Sequence, residues 1–276
     1  MMNLLYAGLV RIMKSRIFWF GTFMMAFLSF WFCFYEYSPY RQQSADPVYT
    51  EEVYFNLLPY IGIFLAVLIS MTAGKEVSMG ILRNKLIAGH TRSDVYFSHL
   101  ILGMGITAVL LMIHFITSGI CCHIFFLPTR FSVGEQFLCA LTVICGSAVY
   151  TSLCNLIAMN LHRLSSVSVL SLLASMYLMQ RSSRIHNALS ESRLVAGEYI
   201  VTSDRAYYEL VINPYYPTGW KRSLLEFLQD LLPTGQLTQI MAGDLSSAWC
   251  WPILSVLLAA GVSLAGYLLF RTKNIR

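Results

Sequence analysis

Few residues in this sequence are of the types that do covalent chemistry, and their spacing excludes most of it. Seven cysteines (Cys33, Cys121, Cys122, Cys139, Cys145, Cys154 and Cys250) fall mostly inside apolar runs, and none forms a C-x-x-C pair. In such settings a thiol behaves as a small hydrophobe. Cys121-Cys122-His123 is the one suggestive cluster. Adjacent cysteines serve one metal poorly and no second cluster completes a site, so no metal is expected. His99 and His114 share one apolar run, and no carboxylate lies in the middle of any such run to act with them. A proton relay needs that partner, so both histidines read as packed, hydrogen-bonded side chains. The zinc-hydrolase pattern H-E-x-x-H and the nucleophile elbow G-x-S-x-G are absent. So is the phosphate-binding G-x-x-x-x-G-K-[ST], because Gly74-Lys75 lacks both the earlier glycine and the following hydroxyl. No catalytic residue and no cofactor of its own are expected.

The elements that must position these residues follow from composition. An average soluble domain is about 25% charged and about 45–50% apolar. Here 12% of 276 residues are charged and 57% are hydrophobic. A water-soluble fold of this length cannot hide that much apolar surface, whereas a bilayer solvates it. About 20 apolar residues of helix cross a hydrocarbon core. Runs of that kind occupy 17–35, 55–74, 95–120, 136–160, the shorter 165–179, and 249–270. They do not alternate as barrel strands would. The expected fold is therefore all-α: a polytopic membrane protein with six transmembrane helices. The first run lacks an A-x-A cleavage site and is longer than a signal-peptide core, so it reads as a retained anchor.

Basic residues orient the chain. Arg11, Lys14 and Arg16 precede the first run; Lys75, Arg83, Lys85 and Arg92 follow the second; Arg163 follows the fourth; Arg271, Lys273 and Arg276 end the chain. The opposite short loops carry Arg41 and Arg130 against Glu36, Asp46, Glu51, Glu52 and Glu135. Both termini are thus expected in the cytoplasm. The net charge of +5 is spent on these flanks, and no nucleic-acid partner is expected. The organisation reads as a cytoplasmic interfacial helix at 1–16, spans one to five over 17–179 with an inner loop at 75–92, an extracellular helical cap at 180–247, and span six with its tail at 248–276.

Three segments outside the spans are amphipathic. Leu5, Leu9, Ile12 and Met13 sit at helical spacing with Arg11 and Lys14 between them. That helix either lies on the inner leaflet or runs on into the first span. In the cap, Trp220, Leu224, Leu228 and Leu231 share a face, with Thr218 as N-cap and Pro233 as stop. In the inner loop, Ile81, Leu82, Lys85, Leu86 and Ile87 predict a short helix bracketed by Gly80 and Gly89. A charged and apolar helix at the membrane surface suits docking into a partner's groove; an ordinary basic loop held by headgroups is the alternative.

The stretch Lys75-Glu76-x-x-x-Gly80 to Asn84-Lys85-Leu86-Ile87-x-Gly89-His90-x-Arg92 resembles the cytoplasmic segment of permease subunits of the type-two ABC exporter family. Val77 stands where that family usually has an aromatic, and Ile81 where it has threonine. Asn213-Pro214-Tyr215-Tyr216-Pro217 and Leu232-Pro233-Thr234-Gly235-Gln236 are similar to it as well, as are the basic lead-in and the six-span layout. The resemblance implies two permease subunits, identical or related, above two copies of an ABC ATPase subunit in a bacterial cell membrane. The cargo would be a peptide, drug-like or lipid-like molecule. It implies that Glu76, Gly80, Arg83, Lys85, Gly89 and Arg92 couple the chain to the ATPase; Glu76 can instead pair with Lys75 or Arg83 and merely fold the loop. Thr151, Ser152, Asn155, Ser168, Ser171 and Ser175 are candidates for a wet path between the two copies, or for plain helix packing. The rival class is a membrane sensor or assembly protein that binds an external ligand and recruits a cytoplasmic partner.

Overall fold

A backbone inside hydrocarbon must satisfy its own hydrogen bonds, and this chain does so with long helices. The computed structural model describes residues 1–37, 49–55, 57–125, 128–161, 163–201 and 206–273. Arg41, Asp46 and Arg276, which enter the charge argument, lie outside them. In chain order the helices are α1 (Met2–Met13), α2 (Arg16–Tyr37), α3 (Thr50–Phe55), α4 (Ile61–Ser78), α5 (Ile81–Ile87), α6 (Arg92–Phe125), α7 (Val133–Asn160) and α8 (Leu164–Ser190). A hairpin follows, β1 (Leu194–Val201) with β2 (Ala206–Ile212), then α9 (Trp220–Leu231), α10 (Pro233–Ala242) and α11 (Trp251–Thr272).

Among the described residues five segments are long and apolar enough to cross a membrane: Arg16–Tyr37, Thr50–Ser78, Arg92–Phe125, Val133–Asn160 and Ala248–Thr272. The chain is a helical, multi-pass membrane protein. The expected fifth run, 165–179, is the first half of α8, whose second half is polar from Gln180 onward. That polar half keeps α8 out of the set of five. The second run is broken near its start, where Pro59 sits in a 3₁₀ turn (Leu58–Tyr60) between α3 and α4. With 34 residues, α6 is longer than a hydrocarbon core is thick.

α7 is the central helix, packed against α4, α6, α8 and α11. It begins in a capping box: Glu135 Oε2 accepts from the Ser132 N–H at 2.7 Å, and Ser132 caps the Glu135 N–H in return. Buried Glu51 on α3 steadies the approach, its Oε1 accepting from the N–H groups of Arg130 (2.9 Å) and Phe131 (2.8 Å). The buried stripe Ser255, Ala259, Ser263 and Gly266 on α11 brings that helix close to its neighbours, and the Ser263 hydroxyl donates to Ser152 at 3.0 Å. α2 is peripheral. Trp19, Phe20, Phe23, Phe27, Phe30, Trp31 and Phe34 all face outward, where lipid solvates them.

The region between α8 and α11 differs from the helical cap expected. It contains the antiparallel hairpin β1–β2 and two helices of opposite character. α9 starts at Gly219, with no side-chain cap from Thr218. The reason is local: Gly219 adopts φ 58°, a turn that leaves Thr218 outside the capping position. Pro233 ends α9 and opens α10, where its missing N–H costs nothing. α9 leaves Trp220, Leu224 and Phe227 exposed, whereas α10 is buried along nearly its whole length against α3, α7 and α8. Hydrogen bonds fix it there. Thr234 bonds the Tyr150 hydroxyl, Gln236 Oε1 accepts from Ser255 at 3.0 Å, and Gln239 Nε2 donates to Asp230 at 3.1 Å.

The close approach at Gly266 is testable. A Cβ there meets the Tyr96 hydroxyl and the Leu156 side chain, whereas Gly261 on the same helix has open space. Gly266→Val is expected to destabilise the protein by about 1–3 kcal/mol, and Gly261→Val to leave it unchanged. Thermal unfolding followed with a thiol-reactive dye reads this directly, because five of the seven free cysteines are buried.

Candidate functional site

The end of the bundle where α1 and the end of α11 meet, the inner end in the expected orientation, gathers ionisable residues that lie far apart in the sequence. Glu76 is 6% exposed in the last turns of α4. Its Oε2 accepts from Lys85 Nζ at 2.6 Å, and its Oε1 pairs with the Arg11 guanidinium. His99 Nε2 lies 2.9 Å from Oε2 and 3.1 Å from Lys85 Nζ. That ring nitrogen either donates to Glu76 or accepts from Lys85, and the cluster holds in both arrangements. One carboxylate therefore ties α1, α4, α5 and α6 together.

The geometry follows from local sequence. Gly80 and Gly89 take φ 70° and 89°, the left-handed region that reverses the chain at each side of α5. α5 has the predicted extent, and Leu82 is its anchor, buried with Leu4, Val95, Tyr96, Met159 and Phe270. With Leu82 inward, Lys85 lies on the same side and reaches Glu76. Arg83 and Ile87 are left on the outer face, and Ile87 is 74% exposed. Exposed Met79, just before Gly80, extends this surface.

The six residues expected to couple the chain thus take four different positions. Arg83 is exposed. Gly80 and Gly89 are the two turns. Glu76 and Lys85 bond each other inside the protein, and the partners expected for Glu76, Lys75 and Arg83, are not the ones it takes. Lys75 points to the surface, because one residue along a helix turns the side chain by about 100°. Arg92 is directed at another helix end: its Nη1 donates to the carbonyls of Phe270 (3.1 Å), Arg271 (2.8 Å) and Lys273 (2.6 Å), closing the C-terminus of α11.

Arg11, His99 and Lys273 belong to the site although sequence reasoning gave them no part in it. Lys273 Nζ donates to the carbonyls of Met159 (2.9 Å) and Leu161 (3.1 Å) at the end of α7, and burial holds its pKa below the ordinary lysine value. A signal for His99 was present: it sits near the start of its apolar run and Glu76 just past the end of the preceding one, so both belong to the same end of the bundle. An ionisable residue near a span end normally has a partner at its own level.

Within one copy the candidate path residues sit between packed helices. Thr151 bonds Thr107 of α6 at 2.7 Å, Ser152 accepts from Ser263 of α11, and Ser168 accepts from Ser70 of α4 at 3.3 Å. Asn155, Ser171 and Ser175 are buried. All six lie on α7 or α8, between helices of one copy, because small residues are what allows those helices to touch. His114 is a bonded core side chain, 2.8 Å from both Ser29 Oγ and the Tyr54 carbonyl. Cys121 and Cys122 pack against Cys33 and Val53.

Fold and site together define a helical membrane protein with an ion-bonded inner end carrying one short exposed helix. No family model matches the chain, and no curated protein matches it in sequence.

The cluster makes an energetic prediction. Glu76→Ala strands the Lys85 ammonium, 12% exposed, without its carboxylate, and is expected to cost about 3–5 kcal/mol. Adding Lys85→Met should recover most of that loss. Unfolding temperatures of the two single variants, the double variant and the parent give the coupling; additive losses would show that the pair is not a unit.

Proposed function

We propose that this chain is the permease subunit of an ATP-driven type-two ABC exporter, working as a pair above two ATPase subunits that bind ATP and magnesium. α5 is the part that receives force. The observation that carries this reading is the build of α5. It leaves Arg83 and Ile87 exposed, with Met79 exposed just before it, while its other side is bonded through Lys85 to Glu76 and packed through Leu82. A push on such a helix passes into α1, α4 and α6 instead of dissipating in a loop.

The layout supports the same reading. α1 and the end of α11 meet at one end of the bundle, as an even number of crossings requires. α8 starts there, with Val167 packed against Ala73, and reaches the far end, where His186 is 3.1 Å from Gln229 of α9. Counted as a span, α8 makes six crossings, and the basic loops then put both termini in the cytoplasm. The cargo is peptide, drug-like or lipid-like in this reading.

One observation favours the sensor reading instead. A polar hollow of about 460 Å³ at the outer end is lined by His186, Arg222, Glu226, Asp230 and Asp244 among others, which suits a small polar ligand.

The test is co-expression of the chain with its ABC ATPase. The pair is expected to co-purify, and Arg83→Glu with Ile87→Glu to lower captured ATPase about tenfold or more, while the melting temperature stays unchanged, since both side chains are exposed. Absence of any ABC ATPase from the purified complex, or capture and hydrolysis indifferent to both substitutions, would sink the export reading.

A further inference from the structure

We infer that the inner end holds a binding site for one anionic phospholipid, in the cleft between α1, α2, α4 and α6. The cleft has a volume of about 640 Å³. Its lining is divided by chemistry. Ile17, Ile69, Leu102 and Ile106 form the inner, apolar part. Lys14, Arg16 and Lys75 line it too, all three exposed. Among the described residues none of these three makes an ion pair. The one acid lining the cleft is Glu76, and it is already engaged by Arg11, Lys85 and His99. The cleft therefore presents unpaired positive charge above an apolar floor.

Position identifies the occupant. Arg16 is the first residue of a membrane-crossing helix and Lys75 lies in the last turn of another. Both stand at headgroup level, where a lipid phosphate meets cations while an acyl chain follows the apolar wall. Basic pockets between helices at this level bind anionic headgroups. A soluble anion has no use for the apolar floor, and a neutral lipid has none for three unpaired cations. The break between α1 and α2 at Lys14-Ser15 keeps the cleft open on that side: the Trp19 indole N–H donates to the Met13 carbonyl at 2.8 Å and fixes the bend. The inference requires only that the chain lies in a bilayer and does not depend on export.

The experiment uses the full chain in detergent, exposed to equal amounts of phosphatidylglycerol and phosphatidylcholine of identical acyl chains, with bound lipid counted by native mass spectrometry. One phosphatidylglycerol per chain is expected, preferred about tenfold or more. The variant Lys14→Gln/Arg16→Gln/Lys75→Gln should lose that preference. Arg181→Gln/Arg184→Gln/Lys221→Gln, an equal charge change on exposed residues elsewhere, should keep it. Thr72→Phe, which fills the cleft without altering charge, should lower retention of phosphatidylglycerol, and excess glycerol 3-phosphate should displace none. Melting temperatures confirm that each variant is folded. Equal binding of the two lipids, preference surviving the first variant, equal loss in the second, full retention in Thr72→Phe, or displacement by the free headgroup would each overturn the site.

Discussion

A carboxylate taken out of water at the edge of a bilayer needs compensating charge, and that requirement organises the inner half of this protein. Dehydrating Glu76 costs several kcal/mol, and only close, well-directed cations offset it. Arg11, Lys85 and His99 arrive from three separate elements to do so. The net stabilisation from such a cluster is modest; its consequence is specificity, because α1, α5 and α6 have one arrangement relative to α4 in which every charge is met. Arg92 and Lys273 extend the same logic to α11 and α7, using carbonyls at helix ends as the negative partners. The contacts between span interiors are of another kind. Ser70 with Ser168, Thr107 with Thr151 and Ser263 with Ser152 are single hydroxyl pairs between close-packed helices, and such bonds contribute little each within a membrane. The bundle is held by directed charge contacts at one end and by close packing with single hydroxyl bonds through its middle.

The span pattern was legible in the sequence because lipid imposes a length rule on apolar runs, and runs as unbroken as 95–120 or 249–270 have no other reading. α5 was legible for a similar reason, since two glycines bracket a short amphipathic stretch. The partner of Glu76 was not. Helical periodicity states which residues share a face of one helix, but Arg11, Glu76, Lys85 and His99 stand on four, and their meeting depends on how those helices cross. Lys75 and Arg83 are nearer in sequence and were the obvious candidates, but the packing of Leu82 turns Arg83 away. The hairpin was missed because the cap was judged by its best helical pattern, at Trp220 to Leu231, which says nothing about residues upstream. The positive φ that Gly219 tolerates for want of a Cβ likewise overrode the hydroxyl of Thr218.

The buried polarity of α10 also changes the meaning of the outer motif. Leu232-Pro233-Thr234-Gly235-Gln236 reads in isolation as a turn after an amphipathic helix. In the fold it is the start of a helix enclosed by its neighbours, with Thr234 on Tyr150 and Gln236 between Ser255 and the Asp230 carbonyl. Polar side chains away from water must be bonded, so their positions fix α10 against α7 and α11 more narrowly than apolar packing does. Trp251 adds to this, its indole N–H donating to Asp230 at 3.0 Å. Asn213 plays a comparable part upstream, its side chain holding Glu191 and Ser192 on one side and the Tyr215 N–H on the other.

The two ends are linked by α4. At its inner end Glu76 is bonded to α5. At its outer end Gly62 lies against Tyr150, whose hydroxyl bonds Thr234 of α10. A helix is stiff along its axis, since every backbone bond runs in that direction. In the export reading displacement of α5 is carried along α4, whose far end meets the Tyr150–Thr234 contact. Contact by itself does not make a route for coupling. What distinguishes α4 from its neighbours is that its inner end is held by charge and its outer end by close packing, so it cannot shift without one of the two changing. In the export reading this assigns α5 the role of input and α10 that of the element whose position depends on it.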